Sequence, residues 1–129
     1  MTMTAEPSTL SAIRGATTAS ANTAAAMADA VEELLNEIAA RNQLAGEQVL
    51  TVIFSVTADL DAIFPASLAR RRPGWQGVAL LDCQQMRVAA DLPRCIRVLV
   101  QAWLPQHQQP QHAYLRGAQQ LRPDRSGND

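Results

Sequence analysis

Lysine is absent from this chain. Without a lysine amine, Schiff-base chemistry, a pyridoxal phosphate anchor and a P-loop are all excluded. Cys83 and Cys95 are the only cysteines, and the close Cys and His spacings of a zinc site are missing, so no metal centre is expected. Both thiols are read as reduced and buried. No apolar run reaches the length of a bilayer span, and the first residues lack a basic stretch followed by an apolar one, so a soluble, cytoplasmic protein is expected. A charge excess is lacking too. The formal net charge is -1, which gives no reason to expect nucleic acid or an anionic membrane as partner.

What the chain has instead is arginine, 11 residues in all, the side chain best suited to holding carboxylates or phosphates in a planar fork. The 129 residues, 47% of them hydrophobic, fit one globular domain. Its expected extent is 11–124, with loose tails over 1–10 and 125–129.

Cys95 to Leu104, CIRVLVQAWL, reads as a strand between two prolines. Ile96, Val98, Val100, Ala102 and Leu104 share one face, and Cys95, Arg97, Leu99, Gln101 and Trp103 share the other. Arg97 among such neighbours calls for an anion, a structural ion pair, or an edge position from which it reaches water. Earlier, SAIRGATT (Ser11 to Thr18) reads as a strand carrying Arg14, with Gly15 allowing a bend or the close approach of another backbone.

Thr23 to about Arg41 repeats Met27, Ala30, Val31, Leu34, Leu35 and Ile38 at helical spacing, with Asn22 or Thr23 as cap. Val49 to Thr57 follows as a strand, and the helix between two strands implies a crossover and some parallel pairing. Pro65 opens a short helix ending near Arg72, with Arg70, Arg71 and Arg72 as a basic end. Val78 to Leu81 is a third strand, residues 82–94 a loop, and His112 to Leu115 a further extended segment. Four or five strands with one long and one short helix make an α+β domain with a mixed sheet.

The segments IRGATT (Ile13 to Thr18), FSVTADLDAIFPA (Phe54 to Ala66), GW (Gly74, Trp75), CIRV (Cys95 to Val98) and YL..A..LRPD (Tyr114 to Asp124) resemble, in order and spacing, the small monofunctional bacterial chorismate mutases of the AroH class. The resemblance implies a ferredoxin-like α+β subunit and a homotrimer forming a pseudo-α/β-barrel. Active sites would lie between subunits and convert chorismate to prephenate for phenylalanine and tyrosine synthesis. It implies no cofactor, because the reaction is a pericyclic rearrangement needing no nucleophile.

By the same resemblance Arg97 stabilises charge on the ether oxygen, Arg14 holds a substrate carboxylate and Tyr114 hydrogen-bonds one. Phe64 is an aromatic wall, Arg70 and Arg122 stand at the cleft mouth, and Leu121 packs at its edge. Leu81 and Cys83 are expected to line the cleft beside Asp82. Here the chain departs from the family pattern. A glutamate beside the catalytic arginine is replaced by Gln85, and Asp82 stands three residues before it where a small residue or cysteine is usual. The expectation is that Asp82 orients Arg97 and balances part of its charge, while Gln85 bonds the substrate hydroxyl or ether region. The competing reading is a noncatalytic trimeric binder of small dicarboxylates that kept the arginine cleft.

Overall fold

A computed structural model describes residues 7–122. Five strands form one sheet: β1 (Ser8–Thr18), β2 (Val49–Val56), β3 (Ala79–Gln84), β4 (Cys95–Pro105) and β5 (Ala113–Tyr114), in the order β3-β2-β4-β1-β5. The long helix α1 (Ala24–Asn42) joins β1 to β2, and α2 (Pro65–Ala69) precedes β3. β4 runs antiparallel to both β1 and β2, while β3 is parallel to β2 and β5 parallel to β1. The expected parallel crossover is therefore present, but it is split: β1 and β2 run the same way with β4 inserted between them. The mixed α+β class holds.

The alternation expected in β4 is borne out. Ile96, Val98, Val100, Ala102 and Leu104 are buried, and Arg97, Leu99, Gln101 and Trp103 are half-buried or exposed. The buried face packs under α1, whose Met27, Ala30, Val31, Leu34, Leu35 and Ile38 join Ile13, Val52, Phe54 and the β4 set in one core. Each of these side chains is nearly or fully withdrawn from water, which is worth about 1.5–3 kcal/mol per large aliphatic residue. The opposite sheet face remains largely open.

Thr23 caps α1, its hydroxyl accepting from the Ala26 N–H at 3.1 Å. Gln43 ends the helix in the left-handed region (φ 50°). The last helical residue, Asn42, is buried: its amide donates to the Ile38 and Gln111 carbonyls at 2.8 and 2.9 Å and accepts from the Gln111 N–H at 2.8 Å. Arg41 donates to the His112 carbonyl at 2.7 Å. Together these bonds tie the glutamine-rich loop after β4 to the helix end and set β5 against β1.

Several boundaries differ from expectation. β1 begins at Ser8, so residues 8–10 of the expected tail are strand, because β4 extends to Pro105 and gives Ser8, Thr9 and Leu10 partners at Pro105, Leu104 and Trp103. β3 continues through Asp82 and Cys83 to Gln84, where a loop was expected, because β2 offers Phe54, Ser55 and Val56 as partners. α2 stops at Ala69, and Arg70 to Arg72 follow as a turn. A short 3-10 helix over Arg116–Leu121 has no counterpart in the sequence reading. The expected C-terminal tail, 125–129, lies outside the described residues.

Candidate active site

The site rests on the pleat. Across the open face, one row of the sheet reads Cys83, Ser55, Arg97, Ala16 and Tyr114, and the next reads Leu81, Ile53, Leu99 and Arg14. Ala16 is thus the floor between Arg97 on one side and Tyr114 on the other, roughly 10 Å apart as two strand spacings require. Arg14 stands two residues along β1 on the same face, roughly 7 Å from Ala16. Ala16 itself is fully buried, so the accessible surface of this face lies over Arg97 and Arg14.

Tyr114 is buried with Ala16 and Ala118, and Leu92 and Leu121 pack against them. The 3-10 helix holds this cluster down: the Ala118 N–H donates to the Leu115 carbonyl at 3.0 Å, and the Gly117 N–H to the Thr18 hydroxyl at 3.2 Å. Leu121 is half-buried at the edge, and Arg122 follows it, also half-buried. Arg14 is exposed, and none of the ion pairs among the described residues involves it. An exposed guanidinium with no ion pair among the described residues is available to an anion.

Arg97 is held from one side. Its Nε–H donates to Gln85 Oε1 at 3.0 Å, the Gln85 Nε2 donates to Asp91 Oδ2 at 2.5 Å, and Asp91 Oδ1 lies 3.9 Å from Arg97 Nη2. Gln85 is fixed by its backbone too, the N–H donating to the Val56 carbonyl at 2.7 Å. The Arg97 side chain is still 41% exposed, so its remaining N–H groups can reach a ligand.

The start of β4, which aims Arg97, is clamped by a turn. The Thr57 hydroxyl donates to Asp59 and accepts from the Cys95 N–H at 3.0 Å, and Asp59 Oδ2 accepts from the Arg94 N–H at 2.9 Å. Burial alone would raise the Asp59 carboxyl, but bonds from Thr57, Arg94 and its own backbone hold it below the usual carboxylate value. Burial pushes the Cys95 thiol up against the opposing charge and hydrogen bond of Arg97. Cys95 is free and buried as expected, whereas Cys83 is free but exposed, because β3 is an edge strand whose outer face nothing covers among the described residues.

Asp82 is not where the sequence reading put it. It pairs with Phe54, which pairs with Val98, so its side chain lies on the helix face of the sheet, opposite to Arg97. There Asp82 Oδ1 accepts from the Ala66 N–H at 3.0 Å, at the start of α2. Burial raises its carboxyl above the ordinary value, with the Ala66 N–H and the Arg70 charge pulling the other way. The expectation that Asp82 orients Arg97 is therefore corrected: a one-residue step along a strand changes the face, and the acid near Arg97 is Asp91. Asp82→Ala is expected to cost about 1 kcal/mol of stability through the lost helix-end bond, with turnover little changed. Asp82→Asn, which keeps an acceptor oxygen, should gain on the wild type as pH rises through the Asp82 titration, since a raised folded-state pKa contributes stability at low pH and loses it above. Unfolding curves of the three proteins across the acidic range check both.

The remaining predicted residues form a second group. Phe64, 71% exposed, lines with Asp82 and Cys83 an open groove of about 620 Å³ between residues 56–65 and the end of β3. Leu81 is exposed on the same edge strand, and Arg70 is exposed near Asp82. Gln85, Asp91 and Leu92 line a separate groove of about 250 Å³. Arg72 is not simply a solvated charge: it stacks over Trp75 at 5.1 Å and donates to Asn36 at 2.8 Å. One chain therefore brings Arg14, Arg97, Gln85, Tyr114 and Leu121 around one floor, and leaves Phe64, Arg70, Leu81, Asp82 and Cys83 at the β3 edge. The sequence reading missed Asp91, although it is the only acid between Asp82 and Cys95.

The family described as chorismate mutase type I matches residues 10–125. A Bacillus subtilis (strain 168) protein named chorismate mutase AroH is 40% identical over 116 residues, spanning 88% of this chain and 91% of its own length. A Thermus thermophilus protein of the same name is 42% identical over 115 residues, spanning 87% and 93%. A solved structure of a chorismate mutase from Clostridium thermocellum matches with a TM-score of 0.78 and 40% identity, over 84% of this chain and 97% of that one.

Proposed function

The chain belongs to the type I chorismate mutase family and isomerises chorismate to prephenate, the step toward aromatic amino acids; from that premise we propose that the reaction takes place on the sheet face that carries Arg14 and Arg97, with Arg97 at the ether oxygen. The observation that carries this reading is the grouping of Arg14, Arg97 and Tyr114 around one small residue, Ala16, on the sheet face away from α1.

The rearrangement breaks an ether C–O bond while a C–C bond forms, within one dianionic substrate. No group on the protein attacks it. What helps is a substrate held compact and a positive charge where negative charge develops, on the leaving ether oxygen. Arg97 is suited to the second task because Gln85 takes only its Nε–H and leaves other N–H groups outward. Arg14 holds a carboxylate, and the Tyr114 hydroxyl hydrogen-bonds the same end of the substrate. Leu121 closes the edge, and Arg122 draws the dianion toward the mouth. Arg14→Ala should raise KM by about tenfold with a smaller change in kcat, since a carboxylate contact is made in ground and transition states alike. An unchanged KM in steady-state kinetics would remove Arg14 from the substrate.

The second group of residues fits a homotrimer closed as a pseudo-α/β-barrel in the cytoplasm. In that assembly Phe64, Arg70, Leu81 and Cys83 of one subunit complete the cleft of its neighbour, with Asp82 bracing the end of α2 behind them. Exposed Phe64, Leu81, Met86 and Val88 make apolar surface of the kind that subunits cover. Sedimentation equilibrium should give a particle of three 13.9 kDa chains; a monomer at micromolar concentration contradicts the assembly. The reading as a noncatalytic binder rested on the lost glutamate, and Asp91 beside Arg97 returns a carboxylate to that place.

A further inference from the structure

We propose that Asp91 is a positioning residue for the rearrangement: it locks the Gln85 amide so that the amide oxygen faces Arg97, and the pair replaces the single glutamate of the family pattern. The inference deepens the reading of Arg97 given above and rests on it.

The chemistry of the three groups fixes the orientation. A neutral amide has an acceptor end and a donor end and can turn either way, and only one end suits an arginine N–H. An ionised carboxylate accepts and does not donate, so Asp91 Oδ2, 2.5 Å from Gln85 Nε2, holds the donor end. The amide oxygen must then point at Arg97 Nε, where it lies at 3.0 Å. A glutamate at position 85 would have no such ambiguity and would need no partner. Asp91 is itself held: its Oδ1 accepts from the Leu92 N–H at 2.8 Å, and its backbone N–H donates to the Val88 carbonyl at 3.2 Å. Ala90, in the left-handed region at φ 65°, turns the chain just before it. Asp91 Oδ1 is also 3.9 Å from Arg97 Nη2, so the negative charge stays close to the guanidinium although its direct partner is neutral.

Two substitutions therefore should not act independently. Asp91→Ala frees the amide to turn its NH₂ toward Arg97, and kcat should fall by about tenfold with KM nearly unchanged, a size usual for coupled neighbours in one network. Gln85→Glu alone places a second carboxylate against Asp91, so it too should lose activity. The double variant Q85E/D91A removes the clash and restores a direct carboxylate partner, and should recover to within about threefold of the wild type.

The test is the full cycle of kcat and KM for wild type, D91A, Q85E, Q85E/D91A and R97A, with a thermal midpoint for each. Asp91→Asn stands in for D91A should the loop fail to fold, because it keeps the acceptor for the Leu92 N–H while allowing either amide orientation. Recovery in the double variant supports the inference, since a loop that merely needed Asp91 for folding would not be rescued by a change at position 85. Wild-type kcat in folded D91A, or a double variant no better than D91A, overturns it. R97A separates the two levels: full turnover without Arg97 refutes the parent reading, whereas collapse of R97A beside an unaffected D91A refutes only the role of Asp91.

Discussion

Arg97→Ala is expected to lower kcat by a factor of roughly 10²–10³, the loss usual when one fixed donor to a developing oxyanion is removed, with KM changed only a few-fold. That amounts to about 3–4 kcal/mol of transition-state stabilisation. The split matters because Arg14, not Arg97, is the carboxylate holder in this reading, so substrate should still bind when Arg97 is gone. Geometry gives the reason for the size. Arg97 is built into the middle of the sheet, between β2 and β1, with Ser55 and Ala16 as its register partners. Its backbone has no freedom to swing, and its Nε is tied to Gln85. A donor fixed in this way is already in place when charge develops, and that preorganisation is what makes it effective. Arg97 lies on the open face, outside the apolar core, so stability should change far less than turnover. A large fall in unfolding midpoint with only a small fall in kcat would reverse the assignment and make Arg97 a structural ion-pair residue.

Gly15→Val is expected to cost about 3 kcal/mol of stability, at the upper end for a side chain forced into a filled space. Gly15 follows Arg14 in β1 and points to the helix side. A Cβ there would come within 2.9 Å of Ile38 Cδ1, and within 3.1 Å of both Leu34 Cδ1 and the Ala113 carbonyl oxygen. Ile38 and Leu34 are fully or nearly fully buried in the core, so they have little room to retreat. The carbonyl of Ala113 belongs to β5, whose next residue is Tyr114. The glycine is therefore a packing requirement that reaches the site: α1 must seat closely on β1, and β5 must lie close beside it, for Tyr114 to flank Ala16. Urea unfolding of Gly15→Val and the milder Gly15→Ala would measure this, and a loss below about 0.5 kcal/mol for valine would show that the helix yields without strain.

How much of this was legible in the sequence depended on the range of the signal. Helix α1 was readable from its spacing, because six apolar residues repeat on one face over its length, and Thr23 marked its start. The two faces of β4 followed from alternation alone; that the face of Arg97 is the less buried one came from the packing of α1 on the other. The ends of β1 and β3 were not readable. Those ends are set by how far the neighbouring strand extends, and nothing in Ser8 to Leu10 or in Asp82 to Gln84 announces a partner. The same limit misled the reading of Asp82. A family pattern supplied its proximity to the site, but its side of the sheet follows from the register with Phe54, and that register puts it behind the sheet. Asp91 was the opposite case. It sits six residues beyond Gln85 in irregular chain, with no periodicity to aim it, and its bond to Gln85 exists only because the loop folds back on itself. The general need of Arg97 for an acid was legible; which acid met it was a matter of tertiary structure.

The most direct measurement is the turnover of chorismate by the purified protein, with the product identified by proton magnetic resonance. Conversion to prephenate, one molecule for each chorismate lost and without added metal or cofactor, is the predicted result. Binding of the dianion without its conversion would contradict it, and would leave the arginine cleft as a binding site alone.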